Sequence, residues 1–326
     1  MEEQSNIGIL RNLKDARQLP VLLALHLHNG DVPNSITINI QPTKQHGPIH
    51  ESWPCGGQSV KHTQYCQVID VAGQTIHEAM NSRELVQAIH DAFQAHRAAV
   101  EKCSVLHLDI STGNIVITRE GCGILNDWDM AKIIGIEGAP RPGRTGTWLF
   151  MSARMLQNPE KIHEIQDDME SFVHVLIYIA LVYTPLRIIS KKSLGDLVSD
   201  LYYEAFKHED GAYTGGTGKE LSFRAQWIPE QVVFSCTPIQ IVIHQLTLYC
   251  LDRLLHCDAE KRIAVNPPGD DDWDVGPDPT AAPRVPTKLY FKDHKAMGNL
   301  FTKALSWSED RWSSDEKIEK KTLNIK

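Results

Sequence analysis

The sequence contains no C-x-x-C pair, no surplus of positive charge and no apolar run long enough to cross a bilayer, and each absence removes a class of function. Its seven cysteines, Cys55, Cys66, Cys103, Cys122, Cys236, Cys250 and Cys257, form no recognisable disulfide framework, so reduced intracellular thiols are expected. A formal net charge of −8 and a pI near 6.0 argue against binding nucleic acid by phosphate neutralisation and favour a basic partner. The first residues, Met1, Glu2, Glu3 and Gln4, are polar and acidic, which speaks against a secretory signal. Phe172 to Tyr183, the longest apolar run, is interrupted by His174 and falls well short of the ~20 residues a spanning helix needs, so a buried helix is expected. These readings together place the chain in the intracellular space, cytoplasmic or nuclear, away from membranes.

What is present is core-forming sequence with recognisable punctuation. At 326 residues and 42% hydrophobic content, the chain can bury the core of one large domain or two modest ones. Ile7, Leu10 and Leu13 suggest a short helix over 5–14, Pro20 breaks it, and Val21 to Leu27 reads as a strand. In the Gly/Pro-rich stretch that follows, Ser35 to Ile40 alternates like a strand and Tyr65 to Val71 reads as another. Asn81, with Glu84 three positions on, opens a helix whose core face carries Leu85, Ile89, Phe93, His96 and Val100. Two β-branched runs between Ile115 and Leu125 flank Arg119, Glu120 and Gly121, which is hairpin chemistry. Beyond residue 160 the pattern is mostly helical, with a flexible loop expected at Gly215, Gly216 and Gly218, a Pro/Asp-rich linker from Pro267 to Pro286, and a charge-alternating solvated tail.

The chemistry concentrates in His107-Leu108-Asp109-Ile110-Ser111-Thr112-Gly113-Asn114, followed after the hairpin by Asn126-Asp127-Trp128-Asp129. Phosphoryl transfer needs a carboxylate to orient and deprotonate the attacking hydroxyl, and Asp109 is the candidate. It also needs oxygen ligands for magnesium beside the phosphates, and Asn114 and Asp127 fit that role. Taken singly, an Asp or Asn near a hairpin is more often a turn residue. The ordered set of His, Asp, Asn, hairpin and Asp-aromatic pair is what points to a kinase. Downstream, Arg144 to Ala153 has the form of the end of an activation segment, in which Thr147, the threonine after Gly146, contacts the catalytic aspartate. His163 to Tyr178, containing Asp167-Asp168-Met169-Glu170-Ser171-Phe172, has the form of a buried central helix whose first aspartate anchors the catalytic-loop backbone.

Leu-His-x-Asp-Ile-Ser-x-x-Asn-Ile from Leu106, Asp127-Trp128-Asp129 in place of Asp-Phe-Gly, Arg144-Thr-Gly-Thr-Trp, Phe150-Met-Ser-Ala and Asp167-Asp-x-Glu-Ser-Phe together resemble the fungal-type protein kinase family, from about residue 60 to 265. The resemblance implies an α+β, protein kinase-like fold. In it, residues 1–75 are a reduced, β-containing N-terminal lobe, 76–265 a mostly helical catalytic lobe and 266–326 a loop and charged tail. It further implies ATP-dependent phosphorylation of protein serine or threonine. The catalytic residues would be Asp109, Asn114 and Thr147, Asp127 and Asn114 would face the nucleotide, and the same Asn114 and Asp127 would hold magnesium. A small-molecule kinase of the aminoglycoside or choline type shares His-x-Asp with a later Asn and Asp but would lack the Gly-Thr-Trp to Ser-Ala segment.

Several positions depart from the kinase pattern. No G-x-G-x-x-G stretch and no V-A-I-K-like strand precedes residues 5–14, only Glu2 and Glu3 could stand for the acidic helix partner, and Lys14 and Lys44 read as surface lysines. Leu108 replaces the arginine that in many kinases receives an activation-loop phosphate, which makes Thr145 a poor phosphoswitch. Arg154 stands where Ala-Pro-Glu has its glutamate, and opposite Arg262 it would be repelled. These departures motivate an alternative, a pseudokinase that uses the shape of the lobe as a binding or scaffold module.

Overall fold

The computed structural model describes the strand pair 38–39 and 66–67 and residues 73–135, 146–189, 193–265, 289–312 and 320–323. The two short strands β1 (Ile38–Asn39) and β2 (Cys66–Gln67) pair antiparallel, inside the two segments the sequence marks as strands. The expected helix at 5–14, the strand from Val21 to Leu27, Lys14, Lys44, Thr145 and the Pro267 to Pro286 linker lie outside the described residues.

After β3 (Gly73–Thr75) comes α1 (Ser82–Cys103), started where Asn81 Oδ1 accepts the Glu84 N–H at 2.9 Å. Glu84 reaches back to the Met80 N–H at 2.5 Å, one residue earlier than a full capping box requires. Leu85, Ile89, Phe93 and His96 are buried as the periodicity predicts; at the last turn Ala99 takes the core position and Val100 is half-buried. The helix ends at Ser104, whose left-handed backbone (φ 54°) returns the chain into β4 (Val105–Leu106).

The predicted hairpin is β5 (Ile115–Thr118) and β6 (Gly123–Leu125), paired Ile115 to Leu125 and Ile117 to Gly123, with β3 on the outer edge of β5. Gly121 supplies the positive φ of the turn (79°). Gly123 is needed for a different reason. A Cβ there would stand 2.0 Å from the Ala88 carbonyl oxygen, so only glycine lets the hairpin lie against α1. The short β7 (Lys132–Ile133) then pairs with β4.

Past α2 (Ala153–Gln157), the central helix α3 (Ile165–Tyr183) is buried on nearly every side, including the run from Phe172 that the sequence marks as a core helix. Among the described residues no helix is long and apolar enough to cross a membrane. Next come β8 (Leu186–Ile188), α4 (Leu194–Tyr202), the pair β9 (Phe206–Lys207) and β10 (Tyr213–Thr214), and α5 (Thr217–Arg224). The glycines before and within α5 are not the flexible loop expected. Gly216 starts the helix at φ 83° beside the Ala153 carbonyl of α2, and a Cβ on Gly218 would meet the Asp200 carbonyl of α4 at 1.9 Å, so backbone conformation and close packing require glycine at the two positions.

The chain continues through α6 (Trp227–Gln231), β11 (Val232–Phe234), the 29-residue α7 (Thr237–Val265) and α8 (Lys295–Leu305). Phe291, Met297, Phe301 and Trp312 join the main core, with Phe301 packed edge-on against Phe93 of α1. The last residues are not wholly a solvated tail either. The Lys321 ammonium donates to the Leu181 carbonyl at 2.9 Å and to that of Thr184, and its N–H donates to the Val182 carbonyl at 3.0 Å. These are the carbonyls that the C-terminus of α3 leaves without intrahelical partners. The architecture is thus mixed helix with small antiparallel sheets, an α+β chain.

Candidate active site

The loop between β4 and β5 is held from beneath by one carboxylate. Asp168, fully buried on α3, accepts the His107 N–H at 2.9 Å and the Leu108 N–H at 3.2 Å. Leu108 sits at φ 68°, a region costing a non-glycine residue about 1–2 kcal/mol, and these two bonds oppose that cost. On its other side Asp168 meets His96 at 2.9 Å and His163 at 2.7 Å. Burial alone would push its carboxyl up, but His163 and His96 hold it well below the usual carboxylate range. His96 passes the network on to His294 of the C-terminal segment, ring nitrogen to ring nitrogen, at 2.9 Å.

The sequence reading assigned the anchoring role to the first aspartate of the pair, and the structure corrects it to the second. Successive helical residues point about 100° apart, so Asp168 faces the catalytic loop while Asp167 faces the other way. Asp167 accepts the Ser152 hydroxyl at 2.6 Å and pairs with Arg253 at 2.7 Å and Lys161 at 2.5 Å.

His107 joins the two halves of the site. Its Nε2 meets the Asn126 carbonyl at 2.9 Å, and its Nδ1 lies 3.3 Å from the Asp109 N–H. A ring donating from Nε2 and accepting at Nδ1 is neutral, in keeping with burial, which pushes its pKa down to about 4. Trp128 packs edge-on against it, 4.6 Å between centroids, and donates its own N–H to the Leu125 carbonyl.

Asp109 is gripped from two segments. Oδ1 accepts both the N–H and the hydroxyl of Thr147, at 2.7 and 2.8 Å, while Asn114 Nδ2 donates to Oδ2 at 3.1 Å and to the Asp109 carbonyl at 2.8 Å. Gly146 permits this approach: its φ is 110°, and a Cβ there would lie 2.6 Å from the Leu108 carbonyl oxygen. Asn114 and Asp127 leave the open end of the hairpin side by side, because the Asn126 N–H donates to the Asn114 carbonyl at 2.8 Å. Asp127 has a left-handed backbone (φ 58°). Partial desolvation, then the nearby carboxylate of Asp129 and more weakly that of Asp109, push its carboxyl up. Asp109, Asn114, Asp127 and Thr147 are therefore brought to one place.

This donor set fits magnesium. With its amide nitrogen committed to Asp109, Asn114 has its oxygen left as a ligand, and Asp127 supplies a carboxylate whose charge a cation would stabilise. Among the described residues no group of three or more His, Cys, Asp or Glu side chains could hold a metal. Two protein oxygens suit an ion that keeps water and phosphate for its remaining positions.

Residues 149–153, expected to end an activation segment, rest on groups the sequence reading missed. Ala153 N–H donates to Glu170 at 2.7 Å, and Arg253 bridges Glu170 (2.6 Å) and Asp167. The Lys219 ammonium, completely buried, donates to the carbonyls of Leu149 and Met151 at 2.7 and 2.6 Å. The expected Arg154 to Arg262 repulsion rests on the Arg262 side chain, which lies outside the described residues. Arg154 donates to the Cys257 sulfur at 2.8 Å, and the arginine paired with acid is Arg253. The long α7 has no one-sided apolar stripe that would single out Arg253 as facing inward.

A carboxylate held by Thr147 of a later segment, with an asparagine and a second aspartate beside it, is the arrangement the sequence reading expects of a kinase-like site. The sequence profile described as fungal protein kinase matches residues 12–180, more than half of the 326 residues. The chain belongs to the fungal protein kinase family. No curated protein sequence matches it. That membership supports a kinase-like function.

Proposed function

We propose that the chain is a protein kinase that transfers the γ-phosphoryl group of ATP to serine or threonine hydroxyls of a protein, with Asp109 as the base. The observation that carries this reading is the pair of hydrogen bonds that Thr147 donates to one oxygen of Asp109. With Oδ1 taken up, Oδ2 is the oxygen with capacity to accept the hydroxyl proton, and Asn114 holds it in orientation. Magnesium, held by Asn114 and Asp127, would supply charge neutralisation of the transferring phosphates. A hydroxyl-bearing segment laid against Trp148 to Met151 would meet a surface kept rigid by Lys219.

Thermal-shift titration of the chain with ATP, with and without magnesium, followed by phosphate transfer to a general Ser/Thr protein substrate, tests this. Ligand at 100 times its dissociation constant raises stability by about 2.7 kcal/mol. The expected result is a magnesium-dependent shift, lost in Asp127→Asn, with transfer abolished but nucleotide binding kept in Asp109→Asn. Binding without transfer in the parent chain would replace the enzyme with a nucleotide-binding scaffold, and equal nucleotide affinity in Asp127→Asn and the parent would sink the metal assignment.

A further inference from the structure

The hairpin that presents Asn114 and Asp127 at its open end closes at the other on Gly121, and a cavity of about 530 Å3 lies there. Its walls come from the hairpin turn, the first turns of α1 and the C-terminal residues Glu309 and Trp312. Four carboxylates, Glu84, Asp91, Glu120 and Glu309, face one guanidinium, that of Arg83, an excess of three negative charges. Three of the acids are already engaged: Glu84 with the Met80 N–H, Asp91 with the Gly123 N–H at 3.0 Å and Gln87 at 2.8 Å, and Glu120 with the Thr118 hydroxyl. Glu120 and Glu309 are exposed at the mouth.

A second, independent observation concerns donors. Trp312 is 4% exposed, and its indole N–H is buried with no hydrogen-bond partner; the Arg83 Nε–H on the same cavity is in the same condition. A buried polar group left unpaired costs about 1–3 kcal/mol, so two such donors on one cavity call for an occupant with acceptor oxygens. A free anion has acceptors but would be repelled by the carboxylates. A bare cation suits the carboxylates but offers nothing to either N–H. A peptide carrying lysine or arginine supplies both, main-chain carbonyls for Trp312 and Arg83 and a cationic side chain for Glu120 and Glu309.

We propose that this cavity is a docking site for a cationic segment of a partner protein. The chain's net charge of −8 favours the same class of partner. The four residues of β5 span roughly 13 Å, so a segment docked at Gly121 is held about one hairpin's length from Asp127. If the kinase reading holds, docking there raises the local concentration of substrate at Asp109; the docking itself does not depend on that reading.

The test uses the full chain without nucleotide and a fluorescent octapeptide of alternating arginine and alanine. Binding is followed by anisotropy and by the indole N–H resonances in 15N-correlated spectra. An octapeptide of alternating glutamate and alanine and the polyamine spermine, which has charge but no carbonyl, serve as comparisons. The arginine peptide should bind and move the Trp312 resonance, identified by its loss in Trp312→Phe. Affinity should fall about fivefold or more in Trp312→Phe and severalfold in the Glu120→Gln/Glu309→Gln double variant. The glutamate peptide should not bind, and spermine should leave the Trp312 resonance in place. No binding at millimolar arginine peptide overturns the proposal, as does unchanged affinity in the double variant, whose substitutions are exposed and keep the fold if Trp312→Phe does not. Spermine moving the Trp312 resonance as the peptide does would reduce the site to general surface charge. None of these outcomes bears on the magnesium-dependent ATP shift, so the two readings fail separately.

Discussion

Thr147 donates twice to the same oxygen of Asp109, once from its backbone and once from its hydroxyl, across 38 residues of sequence. The pair of hydrogen bonds does two things at once. It fixes the carboxylate that would act as base, and it makes the position of that base depend on the segment that would receive the substrate. Gly146 allows the approach, and Lys219 fixes the turn that follows by holding Leu149 and Met151.

Removing the hydroxyl tests that coupling. Thr147→Val keeps the shape and the backbone N–H but leaves Oδ1 one charge-assisted bond short, worth about 1.5–3 kcal/mol. If the bond matters in the transition state, kcat should fall on the order of 10- to 100-fold with the KM for ATP nearly unchanged, and Thr147→Ser should restore most of the loss. Steady-state kinetics of the three proteins decide the matter; a loss expressed only in KM would place the threonine in substrate binding instead.

Asp168 collects two backbone N–H groups and two imidazoles in a site without solvent. Asp168→Asn removes the charge, and half of its amide offers donors where only acceptors are wanted. Breaking a buried ion pair in this way costs about 3–5 kcal/mol, and it also frees Leu108 from the bonds that oppose its left-handed backbone. Urea unfolding should show a midpoint lowered by that energy divided by the slope, with the slope unchanged. A loss under about 1 kcal/mol would mean that the histidines hold the loop without the carboxylate.

Local order was what the sequence made legible. His107, Asp109, Asn114 and Asp127 lie within 21 residues of one another, on a loop and a hairpin whose turn chemistry is explicit, so their convergence could be read without coordinates. Thr147 could be read because Gly146 precedes it. The partners that support them are distant and carry no motif. His96 stood out only as a polar residue on an apolar helix face, and its neighbour His294 is 198 residues away. Arg253 and Lys219 sit on helices where a basic residue ordinarily means solvent, and only packing turns them inward. Gly216 and Gly218 misled because glycine marks both a mobile loop and a tight contact, and composition does not distinguish the two.

That distinction can be measured at two glycines of the site. Gly123→Ala would drive a methyl to 2.0 Å from the Ala88 carbonyl, a backbone atom that cannot turn aside, whereas Gly113→Ala would meet only the Ser111 hydroxyl at an ordinary 3.7 Å. Separating the hairpin from α1 should cost about 1–3 kcal/mol or more, while the Gly113 variant should stay within about 0.5 kcal/mol of the parent. Thermal melts of the two variants give the comparison, and equal melting temperatures would mean that the hairpin does not press on α1.

The buried histidines set the dependence of stability on pH. Burial pushes His107 and His174 down to about 4 and His294, with its neighbours His96 and Arg97 adding to the effect, to about 3. In the unfolded chain each titrates near 6.5, so the unfolded state takes up protons that the folded state refuses. Stability is therefore full above pH 6.5 and is lost as pH falls from there toward 4, by about 3 kcal/mol for each ring. Asp168 and Glu170 act lower down. Their folded carboxyls are held below the usual range, so their contribution is present at neutral pH and lost only as pH falls below about 4. His163 has the opposite sign, because Asp168 outweighs burial and raises it, so its contribution is complete below 6.5 and declines above. Urea midpoints measured from pH 8 to 4 should fall most steeply between 6.5 and 4, and His294→Gln, which keeps a hydrogen-bonding group beside His96 but cannot titrate, should flatten that limb. A profile level down to pH 4 would mean that these rings meet water before the chain unfolds.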